Sequence, residues 1–251
     1  MVWSTLLVFV AGACVGSFLN VVIFRTNEGG SVARGRSRCR ACKGLIGVGD
    51  LVPVVSYLLL RGRCRSCKSV ISWQYPAVEI ATAVLFVVAY RLGGGELVVL
   101  RNWVFVSYLV LIFVYDLRYM LIIDQFTIPA MIFAIILNLW LGVMPAWSVL
   151  AGGAVLSGFF WIQFALSKGT WVGGGDIRMG ALMGFMLGLQ HGLVALFIAY
   201  VLGAVVGLAM MASGKATRKT AVPFGSFLAV GTVVVLFVGR PLIDWYLGLF
   251  L

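Results

Sequence analysis

Residues 3–24 read WSTLLVFVAGACVGSFLNVVIF, a stretch of 22 residues without a charged side chain. About 20 apolar residues in a helix are enough to cross the hydrocarbon core of a bilayer. The same composition continues beyond this stretch, because 62% of the 251 residues are hydrophobic and only 11% are charged. A soluble globular domain has about 25% charged residues. The sequence therefore predicts a membrane protein.

Apolar stretches recur along the chain between turn-like or charged breaks such as Gly93-Gly94-Gly95. Helical spans of this kind predict an all-α polytopic membrane fold with about eight transmembrane helices. Small residues also recur at four-residue spacing, in Gly180, Gly184 and Gly188 and again in Gly203 and Gly207, and such rows let helices approach closely. The predicted spans are Trp3–Phe24, Pro76–Tyr90, Leu97–Tyr115, Leu121–Leu141, Val149–Leu166, Ile177–Leu189, Leu193–Ala212 and Phe224–Leu247.

The distribution of basic residues predicts the orientation. No Lys or Arg precedes the first span, whereas ten of the 19 lie between Arg25 and Lys68. With the N-terminus outside, Arg91, Arg101 and Arg240 lie near outer ends, and the inside loops carry the basic block, Arg118, Lys168, Lys215, Arg218 and Lys219. This asymmetry is typical of cytoplasmic loops beside anionic lipid. Because no nucleic-acid-binding pattern accompanies the charge, we expect membrane lipid and no nucleic acid as its partner.

Two of the eight acidic residues stand out at predicted span ends. Asp116 ends an apolar span, and Asp176 follows Gly173-Gly174-Gly175 and opens another. A carboxylate at membrane depth is costly and usually functional. Two carboxylates from different helices can share a proton, so that one acts as base on water and the other as acid toward a carbonyl. Asp116 and Asp176 are therefore predicted to be a catalytic pair, although Asp176 could instead serve only as a helix cap.

Three further features are predicted to support this pair. The glycine run 173–175 can adopt positive φ and so let a substrate strand or a second helix approach the carboxylate closely. Asp124 lies about two helical turns beyond Asp116 if that segment is helical, so we expect a supporting or substrate-positioning role. Glu79 is expected near the inner surface, paired with a loop arginine, and its spacing gives no support for a catalytic role.

Four of the five cysteines form two CxxC pairs in the basic loop, Cys39 with Cys42 and Cys64 with Cys67, with 21 residues between the pairs. This spacing fits tetrahedral thiolate coordination of zinc. Two disulfides are the alternative, but the predicted loop faces a reducing cytoplasm. A site with four protein ligands is closed, which predicts a structural zinc. The predicted organisation is a first transmembrane helix at 1–24, a cytoplasmic zinc-binding loop at 25–75 and a seven-helix core at 76–251.

These motifs, taken in order, resemble the type IV prepilin peptidases (prepilin leader peptidase/N-methyltransferase) over nearly the whole chain. GSFLNVVIFR at 16–25 is similar to the opening signature of that family, and the CxxC pairs, PVVSYLLLRG at 53–62 and YPAVE at 75–79 are similar to its later blocks. Asp116 and Gly173–Asp176 match its two aspartate motifs, the second normally written GxGD. One departure is Ile123, where the family usually has proline before the aspartate that matches Asp124.

The resemblance implies an aspartyl endopeptidase in the bacterial inner membrane, with its active site facing the cytoplasm. Such enzymes remove the short basic leader of type IV prepilins or pseudopilins after a glycine, and serve type IV pili and type II secretion. The resemblance also implies a second activity that many members of the family have, methylation of the new N-terminus with S-adenosylmethionine.

Two alternatives remain from the residues themselves. A presenilin-like intramembrane protease also pairs a Tyr-Asp with a GxGD turn, but the cysteine loop argues against it. A non-catalytic transporter or assembly factor would use the aspartates as a carboxylate relay.

Overall fold

The computed structural model describes residues 2–32, 34–214, 217, 220 and 222–248, and the described chain is helical. The predicted all-α fold is confirmed, because extended pairing in these ranges is limited to two isolated bridges, Arg38 with Leu45 and Arg63 with Val70. Lys215, Arg218 and Lys219, which contributed to the predicted orientation, lie outside the described residues. The helices are α1 (Val2–Asn27), α2 (Val55–Leu59), α3 (Gln74–Leu92), α4 (Glu96–Tyr119), α5 (Asp124–Leu141), α6 (Ala146–Ser167), α7 (Gly174–Ala212) and α8 (Phe224–Leu247), and a short 3₁₀ turn covers Val48–Leu51.

Seven helices in the described ranges, α1 and α3 to α8, are long and apolar enough to cross a membrane. The prediction of a multi-pass membrane protein is therefore confirmed. The predicted sixth and seventh spans both fall within α7, which has 39 residues. A straight helix of that length would measure about 58 Å, roughly twice the thickness of a bilayer core.

Helix α7 is not straight, because it breaks at Gly188. This residue has φ 74° and ψ −179°, a backbone conformation essentially restricted to glycine. A Cβ placed on Gly192 would lie only 3.7 Å from the Cα of Gly184, whereas eight residues of straight helix would separate them by about 12 Å. The chain therefore reverses at Gly188 into a first arm (174–187) and a second arm (189–212), which correspond to the two predicted spans.

Close packing of α6 against the first arm depends on the predicted glycine row. A Cβ on Gly184 would clash with the backbone of Gly152, and one on Gly180 would lie 2.8 Å from the carbonyl oxygen of Leu156. The prediction of close approach is confirmed for these two positions. In the second arm, by contrast, a Cβ on Gly207 would meet nothing within 4 Å.

The chain divides into two compact units, Met1–Gly93 and Gly94–Leu251. In the first unit α1 packs against α3, and the fully buried Asn20 donates a hydrogen bond from Nδ2 to the carbonyl oxygen of Tyr75 at 3.2 Å. In the second unit α4 packs against α5 and α8, and α7 packs against α5, α6 and α8. The four predicted metal ligands thus belong to the first unit and the two predicted catalytic aspartates to the second.

Candidate active site and metal centre

Asp116 lies in the last turn of α4 and is 4% exposed. Its Oδ2 accepts two hydrogen bonds from Ser226, one from the backbone N–H at 2.7 Å and one from Oγ at 3.0 Å. Ser226 is in the first turn of α8, where backbone N–H groups have no partner within the helix. The positive end of the helix dipole at this position favours a negatively charged group. The N-terminus of α8 therefore holds one oxygen of Asp116.

Asp176 lies in the first turn of α7, where its Oδ2 accepts a hydrogen bond from the backbone N–H of Gly173 at 3.0 Å. The N-cap residue is Gly173, so Asp176 does not occupy the N-cap position that the alternative interpretation gave it, but its carboxylate does cap the helix start from the third helical position. It is also close enough to Asp116 for the two groups to interact electrostatically. In the described ranges Oδ1 of neither aspartate takes part in a hydrogen bond, so each carboxylate keeps one oxygen that can bind water or substrate.

The glycine run before Asp176 permits close approach, but not for the predicted reason. None of residues 173–175 has positive φ, and Gly173 is extended with φ −81° and ψ 158°, so that part of the prediction was wrong. The extended segment leads directly into the helix without a left-handed turn. A Cβ on Gly175 would lie 2.8 Å from Cβ of Ile122, and Ile122 also contacts Gly225. Ile122 therefore lies between the turn that carries Asp176 and the turn that holds Asp116.

Asp124 begins α5, after a break in the helical chain. Met120 is left-handed with φ 53°, and Ile123 is extended with φ −100° and ψ 146°, so extended backbone forms here without a proline. Asp124 forms an ion pair with Arg178, and the two side chains are 53% and 40% exposed respectively. Arg178 is two residues beyond Asp176 and received no role from the sequence. The one available signal was a charged residue inside a predicted span.

Ser226 is the second residue that sequence reasoning missed. Its available signal was Pro223 directly before the predicted span Phe224–Leu247, since proline is common at helix starts and Ser226 then falls in the first turn. Nothing in the sequence links that start to Asp116, which is 110 residues away.

A cluster of aromatic side chains includes a residue that interacts with Asp176. Tyr200, on the second arm of α7, interacts electrostatically with Asp176, although the two are 24 residues apart and a straight helix would separate them by about 36 Å. The Tyr200 ring lies 4.9 Å from the ring of Phe224 and 6.0 Å from that of Phe159, and its hydroxyl donates to Oε1 of Gln163 at 3.3 Å. The reversal at Gly188 therefore brings an aromatic cluster to the level of the aspartates.

Glu79 belongs to the first unit and is 6% exposed. Its Oε2 accepts a hydrogen bond from the backbone N–H of Val54 at 2.7 Å, and Ser17 is a second hydrogen-bond partner. The expected pairing with a loop arginine was wrong, because in the described residues a backbone donor occupies that position. Val54 has φ 61°, which is strained for a β-branched residue. Glu79 therefore anchors the segment around Val54 to α3.

The four cysteines form a compact cluster in the first unit. The Sγ atoms of Cys39, Cys42, Cys64 and Cys67 all lie within 4.8 Å of one another, so they could hold a metal ion. Cys39 Sγ and Cys67 Sγ are 3.8 Å apart. Tetrahedral coordination with Zn–S bonds of about 2.3 Å requires S···S separations of about 3.8 Å. All four cysteines are free thiols in the structure, so the alternative of two disulfides is not found there.

The two CxxC segments fold alike because they repeat one another in sequence. RCRACKGLI at 38–46 and RCRSCKSVI at 63–71 share six of nine residues. In each segment the first cysteine donates its N–H to the residue five positions later, and the lysine after the second cysteine is left-handed. This internal repeat is a sequence signal that the prediction from cysteine spacing did not include.

The local electrostatics favour a cation among the thiols. The backbone N–H of Cys42 and the hydroxyl of Ser69 lower the pKa of Cys39 to about 6. The N–H of Gly44 also lowers the pKa of Cys42, but the neighbouring Cys67 and Cys39 together raise it to about 11. Crowded thiolates resist joint ionisation unless a cation neutralises them, and a divalent metal does so. The donor set and its geometry fit zinc.

The fold and these sites define a class, a multi-pass membrane protein that contains a pair of interacting carboxylates and a four-cysteine cluster suited to a metal ion. The sequence pattern of the bacterial peptidase A24 N-terminal domain matches residues 10–92, and that of the type IV leader peptidase family matches residues 103–208. The chain belongs to the type IV leader peptidase family, and the resemblance inferred from its motifs is confirmed.

Similar proteins cover most of the chain. It is 31% identical to the prepilin leader peptidase/N-methyltransferase of Bacillus subtilis (strain 168), over 96% of this chain and 97% of that protein. The protein of the same name from Aeromonas salmonicida (strain A449) is 32% identical over 96% of this chain and 93% of its own length. That from Myxococcus xanthus (strain DK1622) is 36% identical over 84% and 65% respectively. No solved structure gives a significant match.

Proposed function

We propose that this protein is an aspartyl endopeptidase of the inner membrane that removes the basic leader of type IV prepilins or pseudopilins after a glycine, at the cytoplasmic face. Family membership and the names of the similar proteins support the substrate class. The observation that carries the mechanism is the electrostatic interaction of Asp116 with Asp176 from a different helix, with one oxygen of each held by a backbone N–H.

In the proposed reaction Asp116 is the base, because Ser226 at the start of α8 holds it as a hydrogen-bond acceptor. Water attacks the scissile carbonyl carbon and transfers a proton to Asp116, while Asp176 gives its proton to the carbonyl oxygen. The tetrahedral intermediate then collapses. The leaving nitrogen takes the proton from Asp116, the C–N bond breaks, and Asp176 recovers its proton from the hydroxyl.

Charge supports the proposed cytoplasmic orientation of this site. Arg118 follows Asp116 by two residues at the end of α4, and Lys168 follows the end of α6 before the Asp176 turn. Basic residues at span ends favour the cytoplasmic side. The first unit places the basic loop between α1 and α3, which under the same topology is also cytoplasmic and lies beside anionic lipid.

The proposal includes a structural zinc held by Cys39, Cys42, Cys64 and Cys67. Bound zinc would fix the two CxxC segments to each other and, because four thiolates close its coordination, would offer no position to a substrate. The proposal also includes N-methylation of the newly exposed N-terminus, with S-adenosylmethionine as the methyl donor. The names of the similar proteins support this second activity.

Mass spectrometry of a prepilin precursor co-expressed with the protein tests the proposal. We expect a product that lacks the leader and is heavier by one methyl group at its N-terminus. Asp116→Asn and Asp176→Asn should each leave the precursor uncut, since a general acid or base typically contributes a factor of about 10²–10⁴. Asp124→Asn is the matched control and should retain measurable cleavage, because Asp124 is paired with Arg178.

A relay protein would give a different result. If the aspartates served only to move protons, cleavage of the precursor would not depend on the protein at all, and both Asp→Asn variants would match the wild type. Such an outcome would reject the peptidase.

A further inference from the structure

A cavity of about 640 Å³ lies in the second unit, at the end away from the aspartates. The connection between α5 and α6, the break in α7 and residues 235–240 of α8 form its walls. Arg101, in the second turn of α4, lines it and is 15 residues before Asp116, which corresponds to about 22 Å of helix. The cavity is therefore separate from the candidate active site.

The lining of this cavity is basic. Arg101, Arg240 and His191 contribute to its walls, and no aspartate or glutamate does so among the residues that the structure describes. Asp244, outside the lining, interacts electrostatically with His191, so the two arginines carry the positive charge of the cavity. The remaining walls are largely apolar and include Trp147 and Leu193, which are 66% and 46% exposed. An anionic group with an apolar extension would match both parts of this surface.

Arg101 is buried, with 6% of its surface exposed, and its described hydrogen-bond partners are neutral amides. Nε and Nη2 donate to Oδ1 of Asn102 at 3.1 and 2.8 Å, and Nη1 donates to Oδ1 of Asn138 at 2.9 Å. Asn138 in turn donates to the carbonyl oxygens of Phe185 and Met186 beside the α7 break. Burial of a charge is costly unless an opposite charge compensates it. The amides orient the guanidinium but do not neutralise it.

We propose that this cavity binds the headgroup of an anionic phospholipid, with the phosphate held by Arg101 and Arg240. Guanidinium groups suit phosphate because their donors match its oxygens in pairs. The exposed apolar walls lie on membrane-spanning helices, so the acyl chains can remain in the bilayer while the headgroup enters the cavity. Trp147 is a residue type that membrane proteins place at headgroup depth. In the proposed orientation the lipid comes from the outer leaflet, and its binding does not require peptidase activity.

A purely structural role for Arg101 is the competing explanation, since Asn138 links it to the carbonyls that the α7 break exposes. The two explanations differ at Arg240, which lines the cavity, is exposed and belongs to no part of that amide network. Arg240→Gln is therefore more informative than Arg101→Gln, which would also disrupt a buried network. Arg91→Gln is a matched control, because Arg91 is an exposed arginine near the end of α3 in the other unit.

The test is thermal unfolding of the delipidated protein in detergent, titrated with phosphatidylglycerol, phosphatidylcholine or inorganic phosphate. Phosphatidylglycerol should raise the midpoint, whereas phosphatidylcholine, whose phosphate is offset by a cation, and inorganic phosphate should raise it much less. Arg240→Gln should weaken the apparent affinity for phosphatidylglycerol about fivefold, the contribution typical of one basic residue at a membrane surface. Arg91→Gln should leave it unchanged.

Three outcomes would overturn the proposal. Equal weakening in Arg240→Gln and Arg91→Gln would show general surface attraction. An equal effect of inorganic phosphate would show that the ligand is a free anion and not a lipid. Stabilisation by none of the three would leave Arg101 as a structural residue only.

Discussion

Replacement of Gly188 by alanine should destabilise the protein strongly, because the chain reverses at this residue. Its φ of 74° and ψ of −179° lie in a region that costs other residues about 1–3 kcal/mol. The added Cβ would also lie 2.7 Å from Oγ of Ser148 and 2.9 Å from Sδ of Met144. Ser148 Oγ accepts a hydrogen bond from the N–H of Leu189 at the start of the second arm. Displacement of the Ser148 hydroxyl would break this hydrogen bond, which contributes about 0.5–1.5 kcal/mol to stability.

Together these effects amount to about 2–4 kcal/mol, a large part of the net stability of about 5–15 kcal/mol that is usual for a folded protein. In a chain of this size the unfolding midpoint should fall by about 4–16 °C. Thermal unfolding in detergent measures it, with circular dichroism at a helix wavelength as the signal.

Gly207→Ala provides a matched control in the second arm of the same helix. Its Cβ would meet nothing within 4 Å, and Gly207 does not have positive φ. Alanine is favoured over glycine in a helix interior by about 0.5–1 kcal/mol, so this variant should be slightly more stable than the wild type. If Gly188→Ala behaved like Gly207→Ala, then α7 would be a continuous helix, and the reversal that brings Tyr200 near Asp176 would not exist.

Three further changes test individual contacts. Ser226→Ala should reduce kcat/KM for precursor cleavage about tenfold or more, because a hydrogen bond to a charged group contributes about 1.5–3 kcal/mol. Ser226→Thr is the control and should retain activity, because it keeps the hydroxyl. Equal rates for the wild type and Ser226→Ala would contradict the role assigned to Ser226. Asp124→Asn should lower stability by at most about 1 kcal/mol, measured by thermal unfolding, because its ion pair with Arg178 is about half exposed. Metal analysis of the purified protein should find about one zinc per chain. Cys39→Ser should lose the zinc, and this change should impair folding or methylation more than cleavage, whereas Cys14→Ser, outside the cluster, should keep the zinc. Wild-type protein that contains no metal would reject the site.

Hydropathy was sufficient to predict the helices, because long apolar segments have few alternatives in a bilayer. It placed the break between the sixth and seventh spans at 190–192, whereas the structure has it at Gly188. Both positions lie in one apolar region with several glycines. Only the positive φ of Gly188 distinguishes the residue at which the chain turns from the neighbouring helical residues. That conformation depends on packing against Ser148 of α6, a contact that hydropathy does not record.

The candidate site was predictable only in part. A carboxylate at a span end is conspicuous in sequence because it is costly there, which identified Asp116 and Asp176. The side chains that contact the acidic residues could not be identified in the same way. Ser226, which binds Asp116, and Arg178, which pairs with Asp124, are residue types without a distinctive sequence signal. Their roles depend on contacts that only folding creates, across 110 residues in the case of Ser226 and Asp116. The left-handed glycines expected before Asp176 were wrong because extended backbone already permits the approach of Ile122.

The capping contact of Asp176 does not count against a catalytic role, because the two functions use different oxygens. Oδ2 accepts the N–H of Gly173, and Oδ1 makes no hydrogen bond in the described ranges. Asparagine can still accept from Gly173, so Asp176→Asn should lower stability by at most about 0.3–1 kcal/mol, the contribution of a negative charge in the first turn of a helix. It cannot share a proton with Asp116. A variant that unfolds within that margin of the wild type and does not cleave therefore assigns chemistry to Asp176, whereas cleavage at the wild-type rate would reduce it to a helix cap.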